Sequence, residues 1–175
     1  DKALLEKING VNHREKFRLR YYNDDLSHIS LEKKSKINGL CSKQQQIISY
    51  EQTQHILSGN IEALTSGNSP SLLMELGIKM KTQGLMPRTI VDYKREPFVC
   101  DAGNTRVTMD YDIRTGIASK DFLTPDSITV PAGDTSVILE VKWDEFLPSF
   151  VTDLVQIPGR HTSAFSKYAA CRIYG

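Results

Sequence analysis

Residues 16–22 read KFRLRYY, and their apolar and polar side chains alternate with the two-residue period of a β-strand. One face of this strand carries Phe17, Leu19 and Tyr21, and the other carries Lys16, Arg18, Arg20 and Tyr22. A turn signal, NDD, follows at residues 23–25. The pattern predicts a strand with one apolar and one cationic face, after which the chain reverses.

The returning strand is predicted over residues 27–37, SHISLEKKSKI, where the alternation resumes. Its polar face carries Ser30, Glu32 and Lys34, and its other face carries Ile29, Leu31 and Lys33. The two strands together form a predicted β-hairpin. Such a hairpin places Arg18, Arg20 and Lys34 on one face, which suggests that this face binds a polyanion.

The composition is that of an ordinary globular protein of 175 residues, with 39% hydrophobic and 25% charged residues. This length predicts a single domain over residues 1–175. Lys and Arg number 22 against 21 Asp and Glu, so the net charge is +1. A strongly basic nucleic-acid-binding protein is not balanced in this way, and nucleic acid is not an expected partner. Any affinity for anions must come from the local placement of cations.

Cysteine spacing and hydropathy exclude several other classes of protein. Cys41, Cys100 and Cys171 are far apart and odd in number, which supports neither a zinc site nor a disulfide framework. We expect them to be reduced, buried thiols in a cytoplasmic protein. No apolar run in the sequence approaches the ~20 residues of a membrane-spanning helix.

Capping residues delimit the helices predicted in the middle of the chain. Ser49 and Gln52 form a capping-box pattern, and Gly59 ends that helix. Pro70 is typical of a first helical turn, and Gly84 ends the second helix. The second helix has apolar residues at Leu72, Leu73, Leu76, Ile78 and Met80, and its stripe of Leu and Met is predicted to lie in the core. Further helices are predicted over residues 1–10, 147–156 and 163–175.

Three more strands are predicted over residues 87–100, 104–113 and 134–146, the first two joined by a tight turn. Their polar positions include Tyr93, Arg95, Arg106, Asp110, Asp112, Glu140 and Lys142. Their apolar faces include Val107, Met109, Leu139, Val141 and Trp143. All five predicted strands thus combine an apolar face with a charged one.

These amphipathic strands indicate an α+β fold. Helices must cover the apolar faces, because such a face is stable only when another element packs on it. A sheet that closes with its charged face inward gives an antiparallel β tunnel barrel with surrounding helices and a wet, charged lumen. The alternative is an ordinary antiparallel sheet whose polar face is solvated and carries cross-strand ion pairs. Repetition over five strands favours the tunnel.

The charged positions suggest phosphate chemistry. Arginine binds phosphate through two parallel hydrogen bonds, and carboxylates among such cations suit Mg²⁺ or Mn²⁺. Glu32 is either a metal ligand or a salt-bridge partner that holds Lys34. Asp110 and Asp112 are further candidate metal ligands. Arg106 is either a phosphate ligand or the ion-pair partner of Asp110 on its own face.

The chain resembles the VTC domain, the polyphosphate polymerase domain of the vacuolar transporter chaperone family and its bacterial relatives, within the triphosphate tunnel (CYTH-like) superfamily. The resemblance rests on several segments in family order: KFRLRYY, LEKK, VDYKREPF, RVTMDYDI, ILEVKWDEFLP and SAFSKY. They span nearly the whole chain. The family domain begins earlier, with N-terminal strands that this sequence does not contain, so the resemblance implies an N-terminally incomplete domain.

The resemblance implies a role for each residue that matches a family motif. By this comparison, the cations that act in catalysis are Arg18, Arg20, Lys34, Arg95 and Lys167. The residues that bind the substrate phosphates are Tyr93, Arg106, Lys142 and Ser166. The carboxylate that holds a divalent metal is Glu140, with Glu32 as a second candidate. The implied cofactor is Mn²⁺ or Mg²⁺.

The implied function is ATP-dependent synthesis of inorganic polyphosphate, in which the γ-phosphate of ATP is transferred to a polyphosphate chain in the tunnel. Two alternative functions use the same phosphate-binding surface. In a triphosphatase, water is the acceptor and Glu32 or Glu140 acts as the base. In a non-catalytic sensor, the protein binds polyphosphate or nucleotide without turnover. The resemblance also implies a possible membrane-protein partner.

Overall fold

The computed structural model describes residues 4–6, 9–67, 69–133 and 136–173. The chain is an α+β protein with antiparallel sheets, as predicted. It forms two compact units: residues 1–88 with 120–126, and residues 89–119 with 127–175. Each unit contains its own sheet. One domain over residues 1–175 stays a prediction.

The sheet of the first unit has three antiparallel strands in chain order, β1 (His13–Arg20), β2 (Ile29–Ile37) and β3 (Leu40–Ile48). The predicted hairpin of β1 and β2 is confirmed. Arg18 lies opposite Glu32, and Leu19 lies opposite Leu31, so the charged and apolar faces are those expected from the alternation.

Strand β3 was not predicted. It follows β2 through a two-residue turn in which Asn38 and Gly39 have φ angles of 48° and 85°. Such positive angles at both positions suit the right-handed twist of a hairpin, and the Asn-Gly pair tolerates them. The side chains of β3 are almost all exposed, because it is an edge strand, and they show no clear apolar alternation.

Three helices follow the first sheet: α1 (Tyr50–Ser58), α2 (Ile61–Leu64) and α3 (Ser71–Gln83). The capping box of Ser49 and Gln52 and the left-handed cap at Gly59 are both present. Helices and sheet bury one core, formed by Ile29, Leu31, Ile48, Ile56, Leu64, Leu72, Leu73, Leu76 and Met80. The predicted core stripe of Leu and Met on α3 is confirmed, whereas Ile78 on the same helix is 50% exposed.

The helix predicted over residues 1–10 lies partly outside the described residues. Residues 4–6 are helical, and residues 9–10 form a turn. This part of the first unit is therefore described only at those positions.

An ion-pair cluster joins the first sheet to α3. Lys33 Nζ lies 2.9 Å from Glu15 Oε1 and 2.6 Å from Glu75 Oε1. Lys79 Nζ lies 2.5 Å from Glu15 Oε2. Hydrogen bonds from Lys79 and Lys33 lower the pKa of Glu15 to about 2. The cluster explains how Lys33 is accommodated on the helix-covered face of the sheet, opposite to the face of Lys34.

The sheet of the second unit contains β4 (Val91–Cys100), β5 (Thr105–Thr115), β6 (Val130–Pro131) and β7 (Ile138–Lys142), all paired antiparallel. Both β6 and β7 pair with β5. The three predicted strands are confirmed with shifted bounds: β4 and β7 are shorter than predicted, and β5 begins one residue later and ends two residues later. Strand β6 was not predicted. The turn between β4 and β5 is a 3₁₀ segment, Ala102–Asn104, in which Gly103 has a φ of 65°.

The two predicted closing helices are confirmed as α4 (Ser149–Val155) and α5 (Lys167–Cys171). An apolar cavity of about 330 Å³ lies between α4 and the apolar face of the second sheet, lined in part by Val107, Met109 and Leu139. Trp143, predicted to lie in the core or at an interface, is 48% exposed and so lies outside the core.

Each sheet is open among the described residues, and closure into a tunnel stays a prediction.

The prediction of buried thiols holds for Cys171, which is buried, and is wrong for Cys41, which is exposed. In the described part of the chain, every helix is too short or too polar to cross a membrane.

Candidate functional site

The first cationic face is the face of the β1–β3 sheet that lies opposite its helix-covered side. Seven cations occupy it: Arg14, Lys16, Arg18, Arg20, Lys34, Lys36 and Lys43. Among the described residues, Glu32 is the one carboxylate on these strand positions. A face with this excess of positive charge is suited to a polyanion.

Glu32 holds two cations of this face in place. Its side chain is 2% exposed, and Arg18 Nε donates a hydrogen bond to Oε2. Lys43 Nζ lies 3.0 Å from Oε1. Burial alone would raise the pKa of Glu32, but the hydrogen bonds from Lys43 and Arg18 outweigh it and lower that pKa. Both oxygens of Glu32 are thus in ion pairs, but with Arg18 and Lys43. A salt bridge that holds Lys34 stays a prediction, as does metal ligation.

Lys34 lies in register between two other lysines. Its backbone partners across the sheet are Lys16 on β1 and Lys43 on β3. Like charges directly opposite each other destabilise a sheet, and a bound anion removes that cost. Lys43 was not predicted to lie on this face because β3 was not predicted, although the Asn-Gly turn at residues 38–39 is a signal that could have revealed the strand.

Arg20 lies at one end of the same face. Its Nη1 donates a hydrogen bond of 2.6 Å to the hydroxyl of Tyr22, and its guanidinium lies 5.4 Å from the centre of that ring. The ring holds the guanidinium by cation–π attraction and leaves its other donors available. The structure therefore places Arg18, Arg20 and Lys34 on one surface, as predicted.

The second charged face lies on β4, β5 and β7, with one side chain from α5. Its members are Tyr93, Arg95, Arg106, Thr108, Asp110, Glu140, Lys142 and Lys167. Across the strands, Arg95 pairs with Asp110, Thr108 with Glu140, and Arg106 with Lys142. Seven of these eight residues were candidate functional residues in the sequence, and Thr108 is the one that was not.

A buried carboxylate organises this face. Asp110 is fully buried and accepts two hydrogen bonds from Arg95, at 2.6 Å from Nε and 2.7 Å from Nη2. Lys167 Nζ lies 2.5 Å from Oδ2 of the same carboxylate. Burial would raise the pKa of Asp110, but Arg95 and Lys167 lower it on balance. The predicted Arg106–Asp110 pair is replaced by these two contacts.

An aromatic ring supports the same two cations. Lys167 Nζ lies 4.8 Å, and Arg95 Cζ 5.4 Å, from the centre of the Tyr93 ring. Cation–π contacts of this kind fix a cation without neutralising it. The structure thus brings the predicted pair of Tyr93 and Arg95 together with Lys167, and their roles in binding and catalysis stay predictions.

Glu140 differs from Asp110 in exposure and in the closeness of its partners. Its side chain is 39% exposed, and its oxygens lie 3.5 Å from Arg95 Nη2 and 3.4 Å from Lys142 Nζ. No group of three or more His, Cys, Asp or Glu side chains that could hold a metal occurs among the described residues. Mg²⁺ is commonly bound by one carboxylate together with substrate phosphates. Glu140 fits that kind of binding.

The remaining candidates have separate environments. Arg106 is exposed and forms no hydrogen bond or ion pair with the described part of the chain. The hydroxyl of Ser166 accepts a hydrogen bond of 3.3 Å from Ala169 N and caps α5. Asp112 is exposed and paired with Lys94 at 2.9 Å, which places it outside the Asp110 cluster. The phosphate-binding roles of Arg106 and Ser166 stay predictions.

Comparison with known proteins gives one finding. The family model of the VTC domain matches residues 1–173. No curated protein and no solved structure matches the chain significantly.

Proposed function

The chain belongs to the VTC domain family, whose function is related to polyphosphate, and we propose that it is an ATP-dependent polyphosphate polymerase domain. In the proposed reaction the γ-phosphate of ATP is transferred to the end of a polyphosphate chain. The bond between the β,γ-bridging oxygen and the γ-phosphorus breaks, and a new phosphoanhydride bond forms. ADP leaves with the bonding electron pair.

The observation that carries this proposal is the first cationic face. Seven Lys and Arg side chains share one face of a three-stranded sheet with a single carboxylate among the described residues. A chain of phosphates carries a negative charge at every repeat, and such a surface matches that charge. An ordinary solvated face would mix its charges and would carry carboxylates opposite most of its lysines.

The second charged face supplies the residues suited to the reacting phosphates. Asp110 and Tyr93 hold the guanidinium of Arg95 and the ammonium of Lys167 in fixed positions. Fixed cations stabilise the charge that develops during phosphoryl transfer without having to reorganise. The acceptor phosphate is already ionised, so the proposed reaction needs no strong general base. Alignment and charge neutralisation are the whole contribution of the protein.

Glu140 is the residue proposed to hold Mn²⁺ or Mg²⁺, because its carboxylate is partly exposed and only loosely paired. The metal would neutralise charge on phosphate oxygens. Glu32 is left out of the proposed metal site because Arg18 and Lys43 occupy both of its oxygens.

The test is to incubate the protein with ATP, Mn²⁺ and a short polyphosphate primer and to separate the products by chain length on a gel. A ladder that accumulates with ADP supports the proposal. Arg106→Ala is the cleanest variant, because Arg106 bonds to no described residue and its loss should not unfold the sheet. We expect it to lower the rate of polymer formation by about 10-fold to 100-fold. Arg88→Ala removes an exposed arginine elsewhere and is the matched control.

Two other outcomes would replace the proposal. Orthophosphate without a ladder would make the protein a triphosphatase. Tight binding of polyphosphate without any product, at every concentration of metal, would make it a sensor.

A further inference from the structure

The first cationic face extends beyond the residues that match the family motifs. Arg14 and Lys36 lie opposite each other on β1 and β2, two positions beyond the row formed by Lys16, Lys34 and Lys43. We propose that Arg14 and Lys36 form an outer subsite that binds phosphates of a long polyphosphate chain and not those of a short one. This inference rests on the proposed binding of polyphosphate at the first cationic face.

The length of the face supports such a subsite. From Arg20 to Arg14 the strand β1 runs for six residues, which corresponds to about 20 Å at the usual rise of a β-strand. Three linked phosphates span much less than this. A triphosphate bound near Arg18 and Lys34 therefore leaves the Arg14 end of the face without a ligand, whereas a long chain can cover both ends.

The local contacts leave both side chains able to bind an anion. Arg14 Nη1 donates one hydrogen bond, of 3.0 Å, to the carbonyl oxygen of Val11, and its other donors remain available. Lys36 forms no hydrogen bond or salt bridge with the described residues. The residue opposite Lys36 on β3 is Cys41, so Lys36 has no carboxylate partner at that position either.

The contrast with the neighbouring part of the face is the second argument. Near Arg18, the carboxylate of Glu32 neutralises part of the charge and fixes two cations. Around Arg14 and Lys36, no carboxylate occurs on the described strand positions of this face. Uncompensated cations opposite each other repel, and a polyanion that reaches them relieves that repulsion.

The experiment measures the binding of tripolyphosphate and of long-chain polyphosphate to the protein by isothermal titration calorimetry, with no ATP present. The test variant is Arg14→Ala with Lys36→Ala. The matched control is Lys81→Ala with Arg88→Ala, which removes the same charge from exposed positions elsewhere in the first unit.

We expect the test variant to bind the long chain about 10-fold more weakly, with less than about a twofold change for tripolyphosphate. The slope of log K for the long chain against log salt concentration should also be smaller in the test variant, by the amount that corresponds to about two phosphate contacts. The control should bind both ligands like the wild type. Equal weakening for both ligands, or none for the long chain, would overturn the inference.

Two further outcomes separate this inference from the proposed function. If the protein makes no polymer but the variant loses only long-chain affinity, the subsite stands and the polymerase proposal fails. If a single-stranded RNA binds as tightly as long-chain polyphosphate and is weakened equally in the variant, the assignment of the subsite to polyphosphate is wrong.

Discussion

Arg95 and Asp110 lie directly opposite each other on β4 and β5 and are joined by two parallel hydrogen bonds of 2.6 Å and 2.7 Å. The carboxylate is fully buried, whereas the guanidinium is partly exposed. Lys167 reaches the same carboxylate from α5. One buried anion therefore fixes two cations that remain within reach of a ligand, which is the preorganisation that binding of a phosphate group requires.

Replacement of Asp110 by Asn tests whether the negative charge of this carboxylate, and not only its shape, fixes the two cations. Asp110→Asn keeps the shape of the side chain but removes the closest counter-ion of Arg95 and of Lys167, and leaves Arg95 with Glu140 at 3.5 Å. We expect the free energy of unfolding, measured in urea, to fall by about 2–4 kcal/mol. The affinity for tripolyphosphate should fall as well, because the two cations lose their fixed positions.

The matched control for that variant is Asp112→Asn. Asp112 is exposed and pairs with Lys94 at 2.9 Å and with Arg114 at 3.7 Å. Its substitution should change stability and phosphate affinity little, because exposed ion pairs contribute little. An Asp110 variant as stable and as tight-binding as this control would contradict the organising role of Asp110.

The cluster of Glu15, Lys33 and Lys79 predicts a specific dependence of stability on pH. The pKa of Glu15 is about 2 in the folded protein, against its ordinary value of 4.5, because Lys79 and Lys33 donate hydrogen bonds to it. A lowered pKa stabilises the fold fully above 4.5, and this stabilisation is lost as the pH falls from about 4.5 to about 2. Urea unfolding at a series of pH values should show this loss.

Glu15→Gln should flatten that part of the pH profile, because glutamine does not titrate. The variant should also be less stable than the wild type at neutral pH. Glu62→Gln, at an exposed position of α2, serves as the control and should keep the profile of the wild type. A Glu15 variant with an unchanged acid limb would show that other carboxylates cause it.

The two charged faces could be predicted from the sequence wherever apolar and polar residues alternate along a strand. β1 and β2 were assigned correctly because apolar residues such as the partly buried Leu19 and the buried Leu31 recur at every second position beside cations. The edge strand β3 lacks this signal, since both of its faces are largely exposed. Lys43 was missed together with β3, for which the Asn-Gly turn at residues 38–39 was the remaining signal.

The internal pairing of the second face was not predictable from alternation. The register of β4 against β5 shifts between Asp92 and Lys94, and the resulting alignment brings Arg95 opposite Asp110. Periodicity places both residues on polar positions but does not say which partner each one meets. The pairing with Lys167 depends further on the packing of α5, which no local pattern encodes.

The turn that sets the register of β4 and β5 depends on Gly103. Its φ is 65°, and a Cβ atom added there would lie 2.0 Å from the carbonyl oxygen of Phe146. The carbonyl oxygen of Gly103 also accepts a hydrogen bond from Asp144 N. Because a backbone atom blocks the Cβ position, Gly103→Ala should lower the free energy of unfolding by at least about 2 kcal/mol, measured in urea.

Gly39→Ala is the control for the turn variant. Gly39 also has a positive φ, 85°, but nothing lies within 4 Å of its Cβ position. Its substitution should cost about 1 kcal/mol from backbone strain alone. If both variants lose the same free energy of unfolding, the carbonyl group of Phe146 moves away from the new Cβ atom without cost, and the prediction for Gly103 is wrong.

The two candidate metal ligands should respond differently to neutralisation. Glu140 is partly exposed and lies 3.4 Å and 3.5 Å from its cation partners, whereas both oxygens of Glu32 are held by Arg18 and Lys43. In Glu140→Gln, we expect Mn²⁺ to bind about 10-fold more weakly in the presence of tripolyphosphate, measured by electron paramagnetic resonance. In Glu32→Gln, Mn²⁺ affinity should be unchanged, because the lost carboxylate is an ion-pair partner, while stability should fall. The reverse result, weaker Mn²⁺ binding only in Glu32→Gln, would move the metal to the first cationic face.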